Sequence, residues 1–270
     1  MLLAVASALA ACGGGGDDSP EADEAAIAYV ALGDSFSSGE GAPPYAPGGG
    51  ACNVSELAWP RRLYADVAGF VSLDSRACAG ARTEHLTGPW EKRSQPPQVP
   101  SEPDERITLV TLTIGGNDLG FGDIVGTCVL ARCAAPDEER LAALTEELTT
   151  SVYPALHAAF PKARIVHVGY PRLTPAPGKP VEGCDWLDEE DQVRAAAILT
   201  ALDDAIEQAA DRSDGAVEFL DMTEAFAGHE LCTPTSWLNP VGLGTGHAHP
   251  NAAGQRGIEE AVAAGLGLEL

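Results

Sequence analysis

The amino-acid sequence predicts an α/β fold, a three-layer α/β/α sandwich around a central, mostly parallel, five-stranded sheet. Short apolar runs that end at glycine alternate along the chain with longer segments whose apolar residues recur at helical spacing. Such alternation is typical of parallel sheets that are covered by helices on both faces. The length of 270 residues is sufficient for one such domain with a large buried core.

The strands are predicted from apolar runs that stop at turn residues. Ile27 to Leu32 is the first of them. Ile107 to Ile114 alternates threonine with aliphatic residues and ends at Gly115-Gly116, and we number it the third strand. Ala163 to Val168 is a further strand, and Val217 to Leu220 is the fifth.

Four helices are predicted between and after these strands. The first spans about Ser55 to Ala68. The second begins at Asp137, and Pro154 is expected to bend its last turns, since proline disrupts the helical hydrogen-bond pattern. The third covers the acidic stretch Asp188 to Asp211. The last runs from Pro250 to Ala264, with proline at its start.

The charge of the chain excludes one class of partner. Sixteen basic residues against 40 acidic residues give a net charge of −24. No basic stripe is available to neutralise phosphates, so we expect no nucleic-acid partner. The acidity itself is interpreted as an aid to solubility.

The first residues of the chain predict an export signal. Leu2 to Ala11 is an apolar run that is too short to span a bilayer and has the length of a signal-peptide core. Its end, Leu9-Ala10-Ala11-Cys12, resembles the lipobox of bacterial lipoproteins, in which the cysteine becomes lipidated. We expect a lipoprotein-type signal peptide over residues 1–11, a flexible glycine-rich and acidic tether over 12–25, and a single domain over 26–270.

The cellular fate has two alternatives. No lysine or arginine precedes the apolar run, and ordinary cleavage after Ala10 would release a soluble protein instead. We therefore expect an exported monomer that is either secreted or anchored at the cell surface by a lipid on Cys12, which would be its only attachment to the membrane.

The cysteines other than Cys12 indicate disulfides. An even number in an exported chain favours three disulfides, and six cysteines allow fifteen pairings. The sequence has no Cys-x-x-Cys pair and no histidine pair at zinc spacing, so no metal site is expected. The six are Cys52, Cys78, Cys128, Cys133, Cys184 and Cys232.

Ser35 is the first candidate for chemistry. The first strand ends in Gly33-Asp34-Ser35, which places a serine at a strand-to-loop junction behind a glycine that permits a sharp turn. A serine at this point can be directed at a substrate carbonyl. The alternative is an ordinary Gly-Asp-Ser turn. The Gly-x-Ser-x-Gly elbow of α/β-hydrolases is absent around Ser35.

Two further candidates follow strands or precede helices. The third strand ends in Gly115-Gly116-Asn117-Asp118, where the Asn117 amide could donate a hydrogen bond to a developing oxyanion, or could simply cap a turn. His249 stands just before the last predicted helix, a suitable position for a general base. By contrast, His167 lies inside a strand and is interpreted as structural, and His85 and His229 as surface residues.

Together these segments resemble the SGNH (GDSL-type) hydrolase family, whose fold is flavodoxin-like. Gly33-Asp34-Ser35 resembles the block that carries the nucleophile, and Asn117 the side-chain donor of the oxyanion hole. Gly80, within Cys78-Ala79-Gly80-Ala81, resembles the glycine whose backbone N–H completes that hole, and His249 resembles the base. The backbone N–H of Ser35 is the remaining donor that the resemblance implies.

The finer resemblance is to secreted actinobacterial esterases and lipases of this family. It rests on the segment Ser35 to Gly41, on Trp59-Pro60 and on the six cysteines. This branch implies disulfides between sequence neighbours and no metal or organic cofactor. The implied pairs are Cys52–Cys78, Cys128–Cys133 and Cys184–Cys232.

One position departs from the family pattern. The family usually has an aspartate three residues before the catalytic histidine, and this chain has Gly246 there. The resemblance then implies a Ser–His dyad in which a backbone carbonyl, that of Gly246 or His247, receives the Nδ1 proton of His249. The alternative is another acid such as Asp221.

The resemblance implies a serine-dependent carboxylic ester hydrolase that acts through an acyl-enzyme on lipid or other small acyl esters. Two other classes stay open at this point. One is a carbohydrate acetylesterase, which shares the fold and the sequence blocks. The other is a non-catalytic surface lipoprotein that uses Ser35 and His249 only to bind a ligand.

Overall fold

The computed structural model describes residues 26–47, 50–242 and 246–270. The expected signal peptide and tether, with Cys12, lie outside these residues. One sheet is formed by β1 (Ile27–Gly33), β2 (Phe70–Ser75), β3 (Leu109–Thr113), β4 (Arg164–Val168) and β5 (Glu218–Leu220). Its order is β2-β1-β3-β4-β5, and all neighbouring strands are parallel. The predicted five-stranded sheet is confirmed, and it is parallel throughout.

Burial explains which strands the sequence pattern reveals. All five residues of β3 and the last five of β1 are buried, because helices cover both faces of the centre of the sheet. These strands are continuous apolar runs, and both are among the predicted ones. The edge strand β2 has only exposed and half-buried residues, so it contains no apolar run and the pattern does not locate it.

Eight helices lie along the described residues. They are α1 (Ser35–Ser38), α2 (Trp59–Asp66), α3 (Glu84–Thr87), α4 (Phe121–Leu130), α5 (Glu138–Glu147), α6 (Tyr153–Ala159), α7 (Glu189–Asp211) and α8 (Ala252–Leu266). α2 packs against α8, and α5 packs against α7. Because crossovers between parallel strands are right-handed, this strand order puts α2 and α7 on opposite faces of the sheet. The predicted α/β class is thus confirmed.

Prolines and capping side chains set where the helices begin. The predicted helix over 55–68 is shorter in the structure, because α2 begins at Trp59 with Pro60 in its first turn. A proline there loses no helical hydrogen bond. Asp188 caps α7 and Asn251 caps α8, each by accepting hydrogen bonds from N–H groups of the first turn.

The bend predicted at Pro154 is a change of helix type. A π-helical segment, Leu148–Val152, separates α5 from α6, and Pro154 lies in the first turn of α6. Proline has no N–H for the preceding turn, and its ring would collide with the carbonyl four residues earlier. The wider π turn removes that conflict while the chain continues in the same direction.

Three disulfides cross-link segments around this core. They link Cys52 to Cys78, Cys128 to Cys133 and Cys184 to Cys232, which are the pairs that the family resemblance implies. In the part of the chain that the structure describes, no helix combines the length and the apolar character needed to cross a bilayer.

Candidate active site

Ser35 stands at the carboxyl end of β1, where the backbone turns sharply into α1. Gly33 has φ +120°, and a Cβ at this position would collide with the Thr113 carbonyl of the neighbouring strand. Asp34 caps α1 by accepting a hydrogen bond from the Phe36 N–H at 3.0 Å. Ser35 is therefore the first residue of a short helix, at the edge of the sheet where the carboxyl ends of the strands meet.

The Asp34 carboxylate fixes the segment below Ser35. Besides its cap, it accepts hydrogen bonds from the Thr113 hydroxyl at 3.0 Å and from the Tyr170 hydroxyl at 2.6 Å. Burial raises the pKa of Asp34 to about 6, because these hydrogen bonds only partly offset the loss of solvation. The Tyr170 hydroxyl also accepts from the Gly116 N–H at 3.2 Å, which ties the ends of β1, β3 and β4 together.

His249 approaches Ser35 from the loop before α8. Its Nε2 lies 2.8 Å from the Ser35 Oγ, and its Nδ1 lies 2.9 Å from the His247 carbonyl oxygen. A carbonyl can only accept, so Nδ1 carries the proton and Nε2 is free to accept the hydroxyl proton of Ser35. Of the two carbonyls that were expected, the structure places that of His247 on Nδ1.

The other two candidates for orienting His249 have different partners. The Gly246 carbonyl accepts a hydrogen bond from the Asn239 side-chain amide at 3.1 Å, which fixes the loop itself. Asp221 is exposed, and its carboxylate accepts from the Thr223 N–H at 2.8 Å. The geometry therefore agrees with the dyad hypothesis and not with Asp221 as a third catalytic group.

The two other expected oxyanion donors lie on adjoining turns. Asn117 faces the cavity that contains Ser35, and one N–H of its amide donates to the Ala81 carbonyl at 3.0 Å. The second N–H of the amide remains for a ligand. Gly80 has φ +81° in the turn before Ala81, and the Cys78 N–H at the start of this turn donates to the Gly33 carbonyl at 2.9 Å. The turn is thus attached both to β1 and to Asn117.

A cavity opens beside the Ser35–His249 pair. Beyond Ser35, Asn117 and the histidines, most of its lining is apolar and comes from α1, α4, the loop after β4 and α7. These apolar residues are Phe36, Phe121, Val125, Leu173, Leu199 and Leu202.

A second apolar cavity lies beside the first. The linings of both include Phe121, Val125, Leu173 and Leu199, so the two cavities lie side by side along α4 and α7. The second one extends along α4 to the Cys128–Cys133 disulfide.

Sequence reasoning missed two residues of this site. Tyr170 follows β4 directly, and its position after a predicted strand was a signal that could have identified it. Glu40 reaches the site only through the fold: its Oε2 lies 3.7 Å from the His249 Nε2. Because the two residues are far apart in the chain, no local sequence pattern predicts this contact.

The remaining histidines differ partly from expectation. His167 is buried, with Nδ1 2.9 Å from the Tyr153 hydroxyl and Nε2 3.0 Å from the Ile114 carbonyl, as a structural residue should be. Burial lowers its pKa to about 3. His85 and His229 were interpreted as surface residues, but both are half-buried. Each stacks on a tryptophan, with ring centroids 4.1 and 4.0 Å apart.

The described residues contain no group of three histidine, cysteine, aspartate or glutamate side chains that could hold a metal ion. The residues gathered at the cavity include a serine, a histidine and an asparagine amide. This set can deliver a nucleophile, move one proton and stabilise an oxyanion.

Comparisons with known sequences find similarity over most of the chain. A model of the GDSL-like Lipase/Acylhydrolase family matches residues 31–256. A lipase of Streptomyces rimosus is 38% identical over 235 residues, which cover 84% of this chain and 82% of that protein. Lipase 1 of Streptomyces coelicolor is 37% identical over 244 residues, which cover 86% and 84%.

Solved structures give the same result. The phospholipase A1 of Streptomyces albidoflavus NA297 superposes with a TM-score of 0.71 at 33% identity, over 89% of this chain and 99% of that one. The extracellular lipase of Streptomyces rimosus superposes with a TM-score of 0.70 at 31% identity, over 89% and 100%.

Proposed function

The chain belongs to the GDSL-like lipase/acylhydrolase family and is a carboxylic ester hydrolase, and we propose that it acts on lipid acyl esters through a Ser35–His249 dyad. One observation carries the proposal. The Nε2 of His249 lies 2.8 Å from the Ser35 Oγ, while Nδ1 is held at 2.9 Å by the His247 carbonyl. This arrangement presents an unprotonated nitrogen to the serine hydroxyl.

Acylation begins when the Ser35 Oγ attacks the ester carbonyl carbon and its proton passes to the His249 Nε2. The carbonyl oxygen becomes an oxyanion, which the N–H groups of Ser35 and Gly80 and the Asn117 amide stabilise. As the carbonyl re-forms, Nε2 gives its proton to the leaving alkoxide oxygen. The products of this half are a free alcohol and an acyl ester of Ser35.

Deacylation repeats these steps with water. His249 accepts a proton from a water molecule while the water oxygen attacks the acyl-serine carbonyl. The same donors hold the second oxyanion. Its collapse returns the proton from Nε2 to the Ser35 Oγ and releases the carboxylic acid. Apart from the substrate and this water, every group in the scheme belongs to the chain itself.

The two adjacent apolar cavities support an extended acyl chain as the preferred substrate group. Burying an apolar chain contributes about 0.8 kcal/mol per CH₂. Phe121, Val125 and Leu199 line both cavities, so a longer chain that reached from the first cavity into the second would make further apolar contacts. An acetyl group would use little of this surface, which favours the lipase over the acetylesterase alternative.

We also propose that the protein is exported, as the S. rimosus neighbour is described to be. The apolar run over residues 2–11 and the three disulfides support export, because disulfides persist in oxidising compartments. Lipidation of Cys12 would hold the enzyme at a membrane, which contains lipid esters of the proposed substrate class.

Hydrolysis of p-nitrophenyl esters from acetate to palmitate tests the function. We expect kcat/KM to rise from acetate towards medium or long chains. The variant Ser35→Ala should lose about four orders of magnitude in kcat or more, because the nucleophile is gone. Substitution of the exposed Ser101 by alanine is the matched control and should leave turnover unchanged.

Three outcomes would count against the proposal. Turnover in Ser35→Ala equal to that of the wild type would exclude Ser35 as nucleophile. A sharp preference for acetate would identify an acetylesterase instead. No turnover of any ester, together with no labelling of Ser35 by a fluorophosphonate, would favour a binding lipoprotein.

A further inference from the structure

The Glu40 carboxylate lies on the side of His249 that faces Ser35. Its Oε2 is 3.7 Å from the His249 Nε2, and its side chain is only 16% exposed. The Asn53 amide donates to the other carboxylate oxygen, Oε1, at 3.1 Å, and the Glu40 N–H donates to the Ser35 carbonyl at 3.1 Å. Glu40 is thus held in place from both its backbone and its side chain.

The same region explains why no acid occupies position 246. Gly246 has φ +76°, and a Cβ there would lie 2.7 Å from the Gly41 Cα and 3.9 Å from the Glu40 Cγ. An aspartate at this position would therefore collide with the segment that carries Glu40. The Glu40–Gly41 segment already occupies the space that a side chain at position 246 would need.

We propose that Glu40 is a positioning residue that supplies His249 with the negative charge that an aspartate at position 246 would otherwise provide. This inference rests on the proposed Ser35–His249 dyad. His249 becomes positively charged in both halves of the reaction, when it has taken the proton of Ser35 or of water. A carboxylate 3.7 Å away stabilises that imidazolium by Coulomb attraction.

The placement of Glu40 keeps this charge from interfering with the resting enzyme. Neutral Nε2 has no proton to donate to a carboxylate, and at 3.7 Å Glu40 is beyond hydrogen-bond distance. Asn53 holds Oε1 on the other side. The attraction therefore appears when the proton moves, so it favours the transition state over the ground state and should act mainly on kcat.

Other titratable groups lie near Glu40 and His249, and their effects on the pH profile must be distinguished from that of Glu40. Asp34 and Tyr170 lie below Ser35 in the same cavity, and burial raises the pKa of Asp34 to about 6 and that of Tyr170 far above its usual range. His247 belongs to the loop of His249, and the Tyr45 hydroxyl accepts a hydrogen bond from the Gly41 N–H. All four are unchanged in a Glu40 variant, so a difference between profiles belongs to Glu40.

The test compares Glu40→Gln with the wild type over the pH range 4 to 9. Glutamine keeps the size of the side chain and an oxygen for Asn53, but it removes the charge. We expect kcat to fall about tenfold, a loss equivalent to about 1.4 kcal/mol, with KM changed less than about threefold. The acid limb of the kcat/KM profile should move to lower pH, because the protonated base loses a stabilising neighbour.

Two further variants make the result specific. Glu40→Asp restores the charge and should recover the wild-type acid limb, with part of the lost kcat. The exposed Glu56, in the loop just before α2, provides a charge-matched control, and Glu56→Gln should leave both the limb and kcat unchanged. Urea unfolding should give the same midpoint for all of these variants.

The outcomes separate this inference from the proposed function. An unchanged acid limb in Glu40→Gln would overturn the role of Glu40, whether or not kcat falls, since lost packing alone leaves the limb in place. Equal shifts in the Glu40 and Glu56 variants would overturn it too, because they would reflect net charge alone. Neither result would affect the function, which depends on the loss of turnover in Ser35→Ala.

Discussion

At the scale of single residues, the Asn117 amide is expected to make two hydrogen bonds, one within the protein and one to the oxyanion. It donates to the Ala81 carbonyl at 3.0 Å, and the residue lines the cavity beside Ser35. The first bond keeps the turn that contains Gly80 against Asn117. The side chain is therefore both a proposed oxyanion donor and a support for the neighbouring one.

Removing this amide should reduce turnover without abolishing it. For Asn117→Ala we expect kcat to fall by about 10² to 10³, with KM little changed, because the oxyanion forms only after substrate is bound. Steady-state kinetics with a medium-chain p-nitrophenyl ester provide the measurement. A kcat within a factor of two of the wild type would show that Asn117 is a turn residue only.

How far the site could be predicted differs from residue to residue. Ser35, Asn117 and His249 could be proposed from the sequence because each belongs to a short motif next to a predicted strand or helix. The sequence limits the carbonyl that orients His249 to those of Gly246 and His247. It does not decide between the two, because backbone direction in a loop depends on packing. Glu40 is not predicted as a site residue, because its contact with His249 joins two segments that only the fold brings together.

At the scale of secondary-structure elements, the sequence predicts buried segments best. β3 and α7 are found close to their observed ends because their burial imposes a strong pattern. β2 is missed because an edge strand buries little, and the π segment before Pro154 is missed because a bend and a change of helix type give the same apolar spacing.

α7 also carries a buried acid next to the site. Asp203 accepts a hydrogen bond from the Tyr170 N–H at 3.0 Å, and its other oxygen has no partner among the described residues. Burial, followed by the nearby charges of Asp221, Asp204 and Glu207, raises its pKa to about 7. The Asp203 carboxyl thus binds a proton more tightly in the folded protein than in the unfolded chain.

This difference makes stability depend on pH in a definite direction. The contribution of Asp203 to the free energy of unfolding is present at low pH, and it is lost as the pH rises from about 4 through about 7. Asp203→Asn should therefore be more stable than the wild type at pH 8, by on the order of 2 kcal/mol, and should lose that advantage at pH 5. Urea unfolding at both values measures it.

The exposed Asp211, at the end of α7, supplies the control for this experiment. Asp211→Asn removes the same charge from the same helix and should change stability by about the same small amount at both pH values. If the free-energy difference between Asp203→Asn and the wild type were equal at pH 5 and pH 8, Asp203 would not be the group that titrates.

At the scale of the whole molecule, the disulfides constrain very different lengths of chain. Cys184–Cys232 spans a sequence separation of 48 residues and encloses α7 and β5, whereas Cys128–Cys133 spans a separation of 5. A cross-link stabilises mainly by restricting the unfolded chain, and the restriction grows with the length enclosed. The two bonds should therefore contribute unequally to the free energy of unfolding.

Replacing each pair by serine measures this inequality, and each pair is the control for the other. Loss of Cys184–Cys232 should cost about 4 kcal/mol and loss of Cys128–Cys133 about 2 kcal/mol in urea unfolding. Equal losses, or a reversed order, would mean that native packing around the bonds outweighs the restriction of the unfolded chain.

The His247 carbonyl that orients His249 has a consequence for how this enzyme can vary. In a triad, the orienting group is a side chain, and one codon change removes it. Here the orienting atom belongs to the main chain, which every amino acid supplies. A substitution at position 247 therefore still leaves a carbonyl oxygen at this point of the chain, whereas a substitution of a triad acid removes the orienting group itself.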